Sequence, residues 1–228
     1  MRLTLVNPNT SAATTQAMLG IARDAAAGQA VLAGLTAGFG APLICDEASL
    51  QVAVDAVLAL GPQLQRSRPM GVIVAAFGDP GQAELSRLLA CPVVGIAQAG
   101  MAQAAQGGRR FSIVTTTPDL VPAILRAAQR YGLAAQCLGV RLTQGDPRDL
   151  MADPAALEAQ MLRACEQAVA EDAAQAIVIG GGPLAIVARA LAQRLPVPVI
   201  EPVPAAVRLL LEQINRAGPA IAPAATER

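Results

Sequence analysis

Gly71-Val72-Ile73-Val74-Ala75-Ala76-Phe77-Gly78-Asp79-Pro80-Gly81 is the stretch that decides the fold. Its first four residues form a continuous apolar run of the kind found in strands buried on both faces. A short turn of small and polar residues follows, and a helix is expected from Pro80. The same pattern recurs three times: Leu5-Val6 runs into Asn7-Pro8-Asn9-Thr10-Ser11, Val114 into Thr115-Thr116-Thr117-Pro118-Asp119, and Ile179 into Gly180-Gly181-Gly182-Pro183. Working outward, strands are expected over 3–6, 31–35, 71–74 and 92–96, with helices over 10–24, over 46–65 and from 80. The rhythm then restarts, with strands over 111–114, 137–142, 177–179 and 197–200 and helices over 118–130, 154–170, 184–194 and 205–214. This βαβα order predicts an α/β protein of mostly parallel sheets covered by helices on both faces.

The two runs overlay on one another. Leu3-Val6 recurs at Phe111-Val114, 108 residues on, and Val72-Val74 recurs at Ile177-Ile179, 105 on. Pro92-Val93-Val94 matches Val197-Pro198-Val199 at 105, or at 106 with proline on proline. Near-constant offsets over three strand–helix units predict an internal duplication. The expected architecture is two pseudo-symmetric three-layer α/β/α halves with a cleft between them. Residues 1–97 with 204–228 form the first half and 98–203 the second. The Pro/Ala-rich tail over 218–225 reads as mobile.

Composition narrows the chemistry. The 228 residues are 54 % hydrophobic, so a sizeable core is available, and 17 basic residues balance 17 acidic ones. With no basic patch, nucleic acid is not an expected partner. All the basic residues are Arg; Lys, His and Trp are absent. A Schiff-base lysine, a histidine base and a histidine metal ligand are therefore excluded. Any proton carrier or nucleophile comes from Asp, Glu, Cys, Tyr131, Ser/Thr or water. Cys45, Cys91, Cys137 and Cys165 form no CxxC pair and read mainly as buried apolar thiols, so neither a zinc site nor a disulfide framework is expected. Gly180-Gly181-Gly182 lacks the GxGxxG spacing, and a GxxxxGK[ST] loop needs a lysine, so no nucleotide cofactor is expected. The opening residues are too short an apolar run for a signal-peptide core. No apolar run reaches the roughly 18 residues of a membrane span. A soluble, cytoplasmic protein with no metal or cofactor is expected.

The four turns are the natural site. Pro follows Asp79, Thr117 and Gly182, which places those three residues at helix N-caps, where the missing proline N–H is harmless. Free N–H groups and the helix dipole then favour an anion. Open parallel sheets bind ligands beyond the carboxyl ends of their strands. Caps and tight turns also occur in α/β proteins that bind nothing there. It is their coincidence at four corresponding places that points to a cleft for a small carboxylate or imide. The expected substrate-binding residues are Asn7, Asn9, Thr10, Ala76, Phe77 and Gly78 from the first half. The second half is expected to supply Thr115, Thr116, Thr117, Gly181 and Gly182.

At these turns the chain resembles the aspartate/glutamate/hydantoin racemase superfamily, with the hydantoin and allantoin racemase branch nearest. The resemblance rests on Leu5–Ser11, Gly40-Ala41-Pro42, Phe77–Gly81, Pro92–Ile96, Val114-Thr115-Thr116 and Glu201-Pro202-Val203, in order along nearly the whole chain. It implies an active site between two α/β domains, and self-association to at least a dimer. In such racemases two cysteines face each other across the substrate. One thiolate removes the proton on the stereocentre and the other thiol returns one from the opposite face. The positions that would hold those cysteines are Ala76 and Gly181 here. Several neighbours of Gly181 also differ, so the departure reads as natural divergence. Gln98 stands where an acidic residue is common.

Three functions follow. The first is an isomerase-like enzyme acting on a small cyclic imide or α-substituted carboxylate by a non-cysteine mechanism. Asp79 would be its proton carrier, with Asp46 and Glu201 behind it, and Cys45 is the thiol best placed to approach the cleft. The second is a hydrolase or lyase using the same oxyanion-binding cleft, with the Gly181 and Gly182 N–H groups as the oxyanion hole. The third is a catalytically inactive protein that binds a small carboxylate.

Overall fold

The computed structural model describes residues 1–217, apart from the side chains at positions 185, 186 and 217. The tail from 218, expected to be mobile, lies outside the described residues. Strands β1 (Arg2–Asn7), β2 (Val31–Thr36), β3 (Gly71–Val74) and β4 (Val93–Gly95) form one parallel sheet in the order β2-β1-β3-β4. Strands β5 (Phe111–Thr115), β6 (Cys137–Leu142), β7 (Ala176–Ile179) and β8 (Val199–Ile200) form a second parallel sheet in the order β6-β5-β7-β8. The two orders are the same permutation, and the ladders correspond at the central strands, although β5–β6 carries a register shift between Phe111 and Ser112 that β1–β2 lacks. Ala75 N donates to Val6 O as Gly180 N donates to Val114 O. Val72 N donates to Pro92 O as Ile177 N donates to Pro198 O, which settles the alternative offsets in favour of proline on proline.

Helices α1 (Ala12–Ala26), α5 (Ile96–Ala104), α6 (Val121–Arg130) and α10 (Pro202–Ala217) contribute to the layer between the sheets. Side chains that alternate along the central strands divide the core accordingly. Leu3, Leu5, Ile73 and Val94 of the first sheet and Phe111, Ile113 and Val178 of the second point into one continuous middle cluster. Val6, Val72 and Val74 point outward onto α2 (Glu47–Ala59), α3 (Gly61–Ser67) and α4 (Gln82–Leu88). Val114, Ile177 and Ile179 point outward onto α8 (Pro154–Glu171) and α9 (Ala185–Ala192), with the short α7 (Pro147–Ala152) beside them. The halves therefore share a buried apolar layer, in which α10 packs on α1, α5, β3 and β4. No described helix is long and apolar enough to cross a membrane.

Four local expectations need correction. The helix expected over 46–65 is broken between α2 and α3, because Pro62 in the first turn of α3 has no N–H to continue the α2 ladder. Asp79 is not the cap of the helix after β3: α4 begins at Gln82, and its N-cap is Gly81 with φ 71°. Likewise α9 begins at Ala185 with Leu184 as N-cap, so Gly182 and Pro183 belong to the preceding turn. Finally, α5 begins at Ile96, inside the stretch expected to be strand. Thr117 does precede a helical turn, a 3₁₀ segment at Pro118–Leu120 that leads into α6.

Candidate functional site

In each sheet the chain leaves the second strand of the order for one edge and returns on the other side. The gaps between the ends of β1 and β3, and of β5 and β7, are thus topological switch points, where backbone diverges and leaves room. The turns from the two halves meet over a cavity of about 60 Å³. The first half contributes Asn9 and Ala75-Ala76-Phe77, and the second contributes Thr115-Thr116-Thr117 and Gly180-Gly181-Gly182. The rest of the wall is apolar: Leu43 and Ile44 from the β2–α2 loop, Leu120, Met151, Pro183 and Leu184. The turns touch closely. A Cβ on Gly182 would stand 2.5 Å from Met18 Sδ and 3.1 Å from Ala75 O, so the backbone at 182 must be glycine for the halves to approach this far.

Of the expected binding residues, Asn9, Ala76, Phe77, Thr115, Thr116, Thr117, Gly181 and Gly182 line the cavity, whereas Asn7, Thr10 and Gly78 do not. Asn7 is wholly buried beneath the site. Its Nδ2 donates to Asn9 Oδ1 (2.8 Å) and Thr15 Oγ1 (3.0 Å), and its Oδ1 accepts from Asn9 N (3.2 Å). Ser11 N also donates to Asn9 Oδ1, at 2.9 Å. The Asn9 carbonyl is thereby saturated and its Nδ2 has no partner among the described residues. Thr10 N donates to Ala41 O, which ties this turn to the loop carrying Leu43 and Ile44.

In the second half Thr115 Oγ1 donates to Gly180 O (2.9 Å) and lies 3.2 Å from Thr117 Oγ1. Thr116, only 4 % exposed, has no side-chain hydrogen bond among the described residues. Several backbone donors are also free among the described residues, namely the N–H groups of Ala76, Phe77, Thr116, Thr117 and Gly182. Gly181 N is taken by Ile179 O at 3.0 Å, so the expected Gly181–Gly182 pair of oxyanion donors is reduced to Gly182. The site is thus rich in neutral hydrogen-bond donors and apolar on its remaining walls, and no titratable side chain among the described residues lines it.

The expected proton carrier has other partners. Asp79 is only 5 % exposed and does not line this cavity. Its Oδ1 accepts from Ala97 N (2.9 Å), and its Oδ2 accepts from Gln98 N (2.8 Å) and the Tyr131 hydroxyl (2.7 Å). It caps α5, the helix that sequence reasoning missed. Burial pushes its carboxyl up to about 6, against the pull of those three donors and of nearby Arg130. Burial and the Asp79 charge push the Tyr131 hydroxyl well above the usual phenol range. Asp46 is the N-cap of α2, held below the usual carboxylate range by the Ser49 N–H, and Glu201 precedes α10; neither lines the cavity. Cys45 follows Ile44 but its sulfur faces Asp46. Burial pushes the Cys165 thiol up to about 12 inside the outer core of the second sheet. Among the described residues no cluster of three or more His, Cys, Asp or Glu side chains could hold a metal.

Leu43 and Ile44 reach the cavity from a loop whose sequence carries no periodic signal, and Met151 reaches it from the short α7. Leu184 was legible only as a helix residue. A Cβ on Gly181 would lie 3.1 Å from both Leu184 Cγ and Cδ1, so Leu184 fills the space that a side chain at 181 would need.

Two like-ordered parallel sheets, joined by a shared core and closing a donor-rich cavity at their switch points, define the pseudo-symmetric two-domain racemase class of α/β protein. The Asp/Glu/Hydantoin racemase family model matches residues 3–210, and the chain belongs to that family. The chain is 30 % identical over 213 residues to a hydantoin racemase of Paenarthrobacter aurescens, covering 92 % of this chain and 89 % of that protein. Among solved structures, allantoin racemase from Klebsiella pneumoniae superposes with a TM-score of 0.89 at 32 % identity, over 95 % of this chain and 89 % of the other. Allantoin racemase from Pseudomonas fluorescens gives 0.90 at 32 % identity, over 95 % and 92 %.

Proposed function

We propose that this racemase-family protein binds a small cyclic ureide, imide or α-substituted carboxylate in the cavity between its halves and carries out no two-thiol racemisation of it. One observation carries the reading: among the described residues the cavity wall offers neutral donors and apolar side chains but no titratable group. The free N–H groups of Ala76, Phe77, Thr116, Thr117 and Gly182, with the Thr116 hydroxyl and Asn9 Nδ2, suit carbonyl or carboxylate oxygens. The apolar patch of Leu43, Ile44, Leu120, Met151 and Leu184 suits a hydrocarbon substituent. Removing a proton from a carbon next to a carbonyl needs a base within hydrogen-bond reach, and Ala76 and Gly181 supply none.

A second reading is favoured by Asp79. Its carboxyl, near 6, is poised to exchange protons at neutral pH, and it lies two residues beyond Phe77 in the same turn. An isomerase-like enzyme with Asp79 as proton carrier would need that turn to release Ala97 and Gln98 and to swing the carboxylate into the cavity. Hydantoin, allantoin and 5-substituted hydantoins, tested for raised Tm and for α-proton exchange in D₂O, separate the two. Stabilisation without exchange supports binding alone. Exchange that disappears in Asp79→Asn supports the enzyme, and neither effect with any of these ligands removes both readings.

A further inference from the structure

We infer that Asp79 is a positioning residue: it locks the turn carrying Ala76 and Phe77 to the start of α5 and, through Tyr131, to the second half, and so sets the shape of the cavity wall from behind. The inference stands whatever the cavity binds. Four features of the turn are built around this carboxylate. Its two oxygens receive Ala97 N, Gln98 N and the Tyr131 hydroxyl at 2.7–2.9 Å. Asp79 sits at φ 54°, a left-handed conformation that Asp tolerates better than most residues. Gly95 has no Cβ, and one built there would stand 2.0 Å from Asp79 Cγ, inside the carboxylate itself. Arg130, beside Tyr131 at the end of α6, donates to Gly78 O (3.2 Å) and stacks over the Tyr131 ring at 4.9 Å.

The chain thus fills the N-terminus of α5 with its own anion, where helix N–H groups and dipole favour one. The pseudo-symmetric position in the other half, 105 residues on, is Leu184, which turns into the cavity instead. One turn position therefore does two jobs. In the first half it anchors the cavity wall from behind, and in the second half it forms the wall. The charged groups around the anchor are Arg130 from α6 and, across the neighbouring surface cleft, Glu47 from α2, Arg126 from α6 and Glu84 from α4.

Amide hydrogen exchange on the full chain tests this without a ligand, read at Asp79 and Gln82 in the turn and at Ala97 and Gln98 at the helix start. Tyr131→Phe removes a single hydroxyl and is expected to lower protection at these amides severalfold while the strand amides of β1 and β5 keep theirs. If opening of the turn frees Asp79, protection corrected for intrinsic exchange chemistry is expected to fall about tenfold between pH 5 and pH 7.5. That step should vanish in Asp79→Asn. Unchanged protection in Tyr131→Phe, an even loss over the whole chain, or a pH step that persists in Asp79→Asn would each overturn the inference. The Tyr131→Phe arm stands alone should Asp79→Asn not fold.

Discussion

Replacing Asp79 by Asn should change how global stability depends on pH, and the size of the change can be worked from the structure. The folded carboxyl titrates at about 6 against an ordinary 3.8. The folded state therefore holds this proton more tightly than the unfolded chain does. Stability from this group is greatest below about pH 4, declines as pH rises, and levels off above about 6. The full difference of some two pKa units corresponds to about 3 kcal/mol, of which about 2 kcal/mol falls between pH 4.5 and 7.5. Urea unfolding of the native chain and of Asp79→Asn at both pH values isolates this contribution. Asp46 and Asp172 are both held low, Asp172 chiefly by its hydrogen bond from Arg141, so their contributions run the other way and weaken as pH falls. They are common to both proteins and cancel in the difference. The native chain should lose about 2 kcal/mol more than Asp79→Asn on going from pH 4.5 to 7.5, an urea midpoint difference of about 1 M for an m-value of about 2 kcal/mol/M. Equal pH dependence in the two proteins would refute the reasoning, because it would mean that folding does not shift the Asp79 carboxyl.

Further outcomes follow from the same contacts. Gly95→Ala should destabilise by about 3 kcal/mol or more, and a double-mutant cycle with Asp79→Ala should recover much of that, because the nearest atoms to the added methyl are those of the carboxylate. Gly181→Cys should cost about 1–3 kcal/mol of stability, read as a lowered Tm, and less in a Leu184→Ala background where its clash partner is gone. The pair Ala76→Cys and Gly181→Cys restores the thiols that the family resemblance implies; gain of α-proton exchange on a 5-substituted hydantoin is expected once Leu184 yields. Thr116→Val should weaken a ligand that raises the native Tm by about tenfold, at the upper end of one hydrogen bond's net worth, with the ligand-free Tm unchanged.

Most of the fold was legible because it is written locally. The strand runs at 71–74 and 137–142 match β3 and β6 residue for residue, and the repeat offsets foretold two sheets of the same order. The turns at the strand ends pointed to the cavity because parallel sheets leave room only there. The misses share one cause, which is contact over long sequence separation. α5 is buried almost all round through small residues such as Ala97, Ala99, Gly100 and Ala104, so it shows no apolar stripe to read. Without α5 there was no partner for Asp79 across 18 residues, and the carboxylate read as a free acid near the site. Leu43 and Ile44 reach the wall from an irregular loop whose path follows from packing rather than periodicity, and Met151 from α7, whose six residues are too few to show a period. The turn after β7 hid its main feature for a similar reason. Gly181 is visible in the sequence as the loss of a reactive side chain, but only the structure reveals Leu184 in the space beside it.

We propose that the cavity of this racemase-family chain, with no titratable side chain on its wall among the described residues, moves no proton on its ligand. Its most direct test is ¹H NMR of allantoin and a 5-substituted hydantoin in D₂O with the native chain, alongside calorimetric titration of the same ligands. The account predicts saturable binding and α-proton exchange no faster than in buffer alone. Exchange by the native chain well above the buffer rate would contradict it; loss of that exchange in Asp79→Asn would identify Asp79 as the proton carrier, and its survival there would mean a carrier outside the described cavity wall.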